Sequence, residues 1–252
     1  MSTLPMNPDI NPAPSTVGTT NETARVDWVQ TALAALPAGW RLLDAGAGEQ
    51  QFRKFCPHLR YVSQDFAQYV PQNNPSGLQM PAWNYGTLDI VSDIAAIPQP
   101  DASFDAILCT EVFEHIPDPV QAMREFSRLL RPGGMLILTA PFCSLTHFAP
   151  HHHATGFSRY YYEAHLPPLG FEIIEITPNG NWFEYIAQEI RRISQVSRRY
   201  AGLAPSDESK AAMRQVLDFL QEASASGATA SELLCFGYHV RARRLARPAR
   251  SV

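Results

Sequence analysis

The sequence predicts an α/β fold with parallel strands, and three observations predict it. An apolar run, Leu42-Leu43, ends in Asp44 and passes into a turn carrying Gly46 and Gly48. Two later strand-like stretches also end on acids, Asp65 and Asp93. Between 104 and 140 a strand, a capped helix and a wholly apolar strand follow one another, the pattern of a right-handed parallel crossover.

Composition sets the frame. A chain of 252 residues with 45% hydrophobic content can bury one substantial core. A net charge of -4 exerts no overall pull toward nucleic acid or an anionic membrane. The four cysteines, Cys56, Cys109, Cys143 and Cys235, show no C-x-x-C spacing and read as small core residues of a reducing compartment. With no apolar run of membrane-spanning length and no leader-like N-terminus, the expectation is a cytoplasmic protein without a membrane or nucleic-acid partner.

Taken in order, residues 1–20 hold four prolines among polar residues and read as a disordered arm. A single domain is expected over 21–241. It opens with a helix in which Val26, Val29, Leu33 and Leu36 recur at helical spacing, Asn21 caps, and Pro37-Ala38-Gly39 stops the element. The first strand, from Trp40 to Ala45, leads into the glycine turn, where Gly46 and Gly48 can take positive φ and let a ligand lie against the backbone. A short helical stretch, Phe52 to Phe55, is expected next, the free amides of its N-terminus facing that ligand. A dinucleotide fingerprint would place a third glycine where Gln51 stands, and Asp44 would repel a phosphate but accept an ammonium or a ribose.

The stretch 60–66 is a second strand, and Asp65 lies about 20 residues beyond Asp44, the interval at which open α/β folds place a ribose-binding carboxylate. Phe66 could flank a base. Prolines and glycines make 69–86 a loop. A third short strand covers 88–94, and Phe104 to Thr110 is the fourth. Asp118-Pro119-Val120-Gln121 starts a helix with a capping acid, a first-turn proline and a capping-box glutamine. Its buried face takes Val120, Met123, Phe126 or Ser127, and Leu130, before Arg131-Pro132-Gly133-Gly134 stops it and the strand 135–140 follows. Further elements are a helix over 160–166, a strand over 169–176, a helix capped by Asn181, another from about Ser206, and a last strand over 233–240 with Gly237 as a bulge. Residues 242–252 form a basic tail.

These residues resemble the motifs of the class I S-adenosylmethionine-dependent methyltransferases, in particular the broad small-molecule group. Asp44-Ala45-Gly46-Ala47-Gly48 is similar to motif I, Phe104 to Pro119 to motif IV and its sequel, and Leu129 to Leu138 to the bridge after it. The resemblance spans about 40–176 and the last strand. It implies a Rossmann-like sheet of seven strands, mostly parallel, and it makes the two helices of about 181–230 an insertion before the last strand, with a lid or a homodimer surface as its role. It implies S-adenosylmethionine as cofactor. Asp44, Gly46, Ala47 and Gly48 would hold the methionine end, Asp65 and Phe66 the ribose and its surroundings, Asp93 and Ile94 the adenine edge, and Thr110 and Glu111 the methionine side past the fourth strand. One departure is Gln50, near which the family often has a further glycine.

The acceptor side lies beyond the fifth strand, where 146–162 carries four histidines and three tyrosines. His147 and His153 are the candidates for a general base toward an acceptor hydroxyl or amine; surface histidines without catalytic duty are the other reading. No metal site is expected, because consecutive histidines point different ways and no acid or cysteine stands at ligand spacing. For the Glu114-His115 pair the structural account, each satisfying the other and local backbone, is preferred. The implied reaction is methyl transfer to an oxygen or nitrogen of a small molecule, a sugar or natural-product intermediate among the candidates. The rival reading is a protein that binds the cofactor in a regulatory or structural role without methyl transfer.

Overall fold

A computed structural model describes residues 15–71, 76–227 and 229–246. The expected arm over 1–14 and the end of the tail, 247–252, lie outside the described residues. Helix α1 (Asn21–Ala34) precedes β1 (Arg41–Ala45), β2 (Arg60–Asp65), β3 (Ile90–Val91) and β4 (Phe104–Thr110). Then come α2 (Pro119–Leu129), β5 (Leu130–Pro141), α3 (Arg159–His165), β6 (Phe171–Asn179), α4 (Trp182–Ala201), α5 (Asp207–Ser226) and β7 (Gly237–Arg244).

The seven strands form one sheet in the order β3-β2-β1-β4-β5-β7-β6. The first five run parallel, and β7 inserts antiparallel between β5 and β6. The strand order reverses between β1 and β4, so the carboxyl ends of these two strands flank the crevice in which open α/β sheets bind ligands. Side-chain alternation divides the core. Leu43, Ala45, Ile107, Cys109, Leu136 and Leu138 face α2, where they meet Met123 and Phe126. Leu42, Ala106, Leu108 and Ile137 face the other way, onto Val29, Leu33, Leu36 and Phe52. A strand with both faces covered must be apolar at consecutive positions, as β4 and β5 are.

Helix α2 starts as its sequence dictates: the Asp118 carboxylate accepts from Gln121 N at 2.9 Å and Pro119 occupies the first turn. Its buried face takes Phe126, while the Ser127 hydroxyl donates to Leu169 O. The caps at Asn181 and Ser206 also form, accepting from Glu184 N and Ser209 N. Helices α4 and α5 enclose a small core of their own, Ala187, Leu217 and Leu220.

Several local expectations are corrected. The short helical stretch expected over 52–55 after the glycine turn is a 3₁₀ turn, Arg53–Phe55, which ends at Cys56, where Pro57 disfavours helical geometry. Thr20, not Asn21, precedes the first turn of α1; the Asn21 side chain instead reaches Gln188 and Asn179. Strand β3 shrinks to two residues, and β5 begins at Leu130, opposite Phe104; residues 131–134 bulge out of the register, which resumes at Met135 opposite Ala106. Gly237 opens β7 rather than bulging it; the irregularity falls in β6, between Ile173 and Glu175. Residues 242–244, assigned to the tail, are the paired end of β7.

Residues 15–20 are held, not loose. Val17 packs against the α4–α5 core, Val17 N donates to the Gln221 side chain and Gly18 N to the Glu184 carboxylate, and the Arg191 guanidinium spans the carbonyls of Ser15 and Val17. Arg191, which reads in sequence as a solvated face, is this clamp. Among the described residues no helix is long and apolar enough to cross a membrane.

Candidate functional site

Two groups of residues stand at the carboxyl edge of the sheet, one beyond β1, β2 and β3, the other beyond β4 and β5. In the first, Gly46 and Gly48 have φ of 76° and 51°, which only glycine adopts without strain. A Cβ on Gly46 would meet Val112 Cγ2 at 2.5 Å, and one on Gly48 would meet Trp83 at 2.8 Å. The turn is held from β2: Gln64 O accepts from both Gly46 N (2.9 Å) and Ala47 N (2.8 Å), and the Gln64 side chain donates to Ser92 O. Gln64 escaped sequence reasoning, although a polar run, Ser63-Gln64-Asp65, in a buried strand is the signal that finds it.

Asp44, at the end of β1, is buried and accepts from the Tyr61 hydroxyl at 2.5 Å. Burial raises its carboxyl from the ordinary range to about 7, the Tyr61 bond opposing and the nearby Asp65 charge adding. Asp65, at the end of β2, accepts from Gly48 N at 2.9 Å and Ala67 N at 3.0 Å; burial raises its carboxyl too. Phe66 sets its ring edge-on to His151. Asp93, just past β3, is exposed and accepts from Ala95 N in a tight turn, while Ile94 is buried in the main core. The three acids thus stand at the carboxyl ends of three adjacent strands.

Gln50 settles the departure noted in motif I. It takes the positive φ (58°) that a glycine there would have supplied, and its side-chain amide donates to Tyr85 O and Thr87 O, tying the 76–87 loop to the turn. From that loop Trp83 lies over Gly48, and Trp83, Tyr69 and Phe148 pack together, Tyr69 stacking on Phe148 at 4.0 Å. The loop showed only breakers in sequence; its aromatics form one wall.

Beyond β4, Thr110 ends the strand and Glu111 follows with φ of 53°. The Glu111 carboxylate accepts from Thr139 Oγ1 at 2.9 Å and pairs with Arg25 of α1 at 3.1 Å, so α1 reaches this edge of the sheet. Next, a 3₁₀ turn, Phe113–His115, presents Glu114 and His115. Since β4 and β5 are parallel neighbours, their exit loops lie side by side, and the loop after β5 brings His147 and His152 to His115. One ring nitrogen of each of the three lies within 4.8 Å of the others. Glu114 Oε1 stands 3.7 Å from His115 Nε2 and 3.9 Å from His147 Nε2, too far for hydrogen bonds.

These positions correct the sequence reading. Glu114 and His115 do not satisfy each other: His115 Nδ1 bonds His151 O, and Glu114 Oε2 is buried without a partner. Metal-ligand geometry was discounted because the histidines are not at helical spacing, but tertiary folding supplies the convergence that spacing lacked. Of the two candidate bases, His147 is inside the cluster, and His153 is exposed, its backbone N donating to Glu114 O. Burial and its imidazole neighbours take His115 down to about 3; His147 and His152 are also lowered, chiefly by burial. Burial pushes the Glu114 carboxyl well up, with Glu111 adding to it.

The donor set beside the glycine turn fits S-adenosylmethionine in chemistry: a buried carboxylate for an ammonium, one for a ribose diol and an exposed one for an adenine amine. Comparison with known proteins agrees. Residues 43–138 match the family described as Methyltransferase domain. The ubiquinone biosynthesis O-methyltransferase of Xanthomonas oryzae pv. oryzae (strain PXO99A) is 35% identical over 118 residues, 46% of this chain and 48% of the relative. The chain thus spans about half the length of the curated relatives it matches. Among solved structures, the [4+2]-cyclase SpnF superposes with a TM-score of 0.54 at 17% identity, over 91% of this chain and 85% of that one. Phosphoethanolamine N-methyltransferase 2 of Haemonchus contortus, solved with S-adenosyl-L-methionine, superposes with a TM-score of 0.50 at 15% identity, over 88% of this chain and 53% of that one. At these identities the superpositions speak for the fold alone.

Proposed function

We propose, from the match of residues 43–138 to the Methyltransferase domain family, that the protein transfers the methyl group of S-adenosylmethionine to an oxygen of a small molecule. The observation that carries the reading is the placement of Asp44, Asp65 and Asp93 at the carboxyl ends of three adjacent strands, the first of which runs into a glycine turn in left-handed geometry. An oxygen acceptor is preferred over nitrogen because the matched Xanthomonas relative is named an O-methyltransferase. The acceptor itself does not carry over: the family match ends at 138, before the 142–158 loop and the α4–α5 insertion that distinguish the acceptor side. A sugar or natural-product hydroxyl stays within the proposal.

When bound, the cofactor supplies a methyl group already activated on a sulfonium, which leaves the protein to bind, align and exclude water. Asp65 would take the ribose hydroxyls, its orientation held by Gly48 N and Ala67 N. Asp44 would face the ammonium, oriented by Tyr61. Asp93 and the Ile94 backbone would meet the adenine. Thr110 and Glu111 would line the methionine side, with Arg25 and Thr139 steering the Glu111 carboxylate. The Trp83, Tyr69 and Phe148 wall would keep water from the turn.

The test incubates the protein with labelled S-adenosylmethionine and a panel of hydroxylated small molecules. Acceptor-dependent release of S-adenosylhomocysteine is expected. Cofactor binding in calorimetry with no release across the panel favours the regulatory rival, and absence of binding overturns the site.

A further inference from the structure

We propose that His115, His147 and His152, with the Glu114 carboxyl beside them, form a site for a divalent transition-metal cation of the zinc type, joining the loops that leave β4 and β5.

The hydrogen-bond inventory argues for it. His115 Nδ1 lies 2.7 Å from His151 O, and His147 Nδ1 lies 2.8 Å from Leu145 O. A carbonyl only accepts, so each Nδ1 carries the proton and each Nε2 presents a lone pair. Both Nε2 atoms stand near the Glu114 carboxylate. Bonding one imidazole nitrogen to a backbone carbonyl while freeing the other is the arrangement that orients metal-ligating histidines.

Among the described residues no donor answers these lone pairs. There neither ring nitrogen of His152 has a partner, nor has Glu114 Oε2, although all three atoms are buried, and Glu114 as a residue is 1% exposed. Buried polar atoms without partners are costly, about 1–3 kcal/mol each. One cation would meet the three imidazole lone pairs together, with the Glu114 carboxyl beside them. Three imidazoles and an open fourth position suit zinc, with cobalt as its usual spectroscopic stand-in. Ligand atoms about 2.1 Å from a tetrahedral centre are roughly 3.4 Å apart, so the 4.8 Å cluster contracts slightly on loading. The loops are already joined by His153 N donating to Glu114 O at 2.8 Å, and the cation would add a second tie beside the site.

The experiment uses the full chain without a histidine tag. It is stripped with chelator, equilibrated with Zn²⁺ or Co²⁺, dialysed, and its metal content is measured, with the visible spectrum recorded for cobalt. One equivalent per chain, a tetrahedral cobalt spectrum and a rise in Tm on loading are expected. His147→Ala and His152→Ala, checked for folding by circular dichroism, should lose all three signals, whereas His153→Ala should retain them. No uptake by the wild type overturns the site, as does unchanged uptake in both the His147 and His152 variants or equal loss in His153→Ala. Cofactor binding, measured separately by calorimetry, reports on the methyltransferase reading whichever way the metal result falls.

Discussion

The two acid-bearing corners of the sheet edge are built oppositely. Beyond β1 and β2, each buried carboxylate has its donors: Tyr61 for Asp44, and the amides of Gly48 and Ala67 for Asp65. Beyond β4 and β5, Glu114 and three imidazoles crowd together, and among the described residues Glu114 Oε2 and both His152 nitrogens lack partners. The first corner is held in place by donors of the protein itself. The second leaves buried polar atoms unpartnered, the observation on which the proposed cation site rests.

The largest expected blow to the satisfied corner is Gly46→Val. A left-handed φ costs about 1–2 kcal/mol for a side-chain residue, and overpacking against Val112 adds about 1–3 kcal/mol. Denaturant unfolding should show the loss; a wild-type midpoint would mean that the turn is not constrained as described.

Asp65→Ala removes the acceptor at the end of β2 and should weaken S-adenosylmethionine binding by about 1.5–3 kcal/mol, roughly one to two decades. Unchanged affinity in calorimetry would sink the ribose assignment. Tyr61→Phe leaves Asp44 buried without its donor and should cost about 1–3 kcal/mol of stability. If that variant is neutral, the contrast in satisfaction between the corners loses one of its members.

The smallest effect is a slope. Asp44 keeps its proton in the folded state up to about pH 7, whereas the unfolded chain loses it near the ordinary aspartate value of 3.8. The folded state therefore binds more protons between those values, and the Asp44 contribution to stability falls as pH rises through that window. Asp44→Asn should flatten this part of the stability profile. In the wild type, cofactor affinity should rise as pH passes 7, because an ammonium prefers the ionised carboxylate; an identical pH profile in the asparagine variant would remove Asp44 from that role.

Legibility differed between the corners for a physical reason. Asp44, Gly46, Gly48, Asp65 and Asp93 could be read because they are strand ends and turn residues, whose chemistry follows from local spacing. Gln64, Tyr61 and Trp83, which brace the same corner, could not, since each acts across a strand pair or from a loop without periodicity. Gln50 lay between the two cases: its departure from glycine was visible, but its hold on Tyr85 O and Thr87 O depended on where the loop lay.

By itself the sequence determined the alternation of strands and helices, the caps of α2 and α4, and the carboxylates at the ends of the first strands. Short-range sterics, backbone hydrogen bonding and side-chain periodicity decide these, and they act within a few residues. Only the tertiary structure decided that Val17 is clamped by α4 and α5, that β7 is paired through Arg244, and that His115 meets His147 and His152. Such contacts join segments far apart in the chain, and the parallel neighbouring of β4 and β5 sets them where no local spacing can.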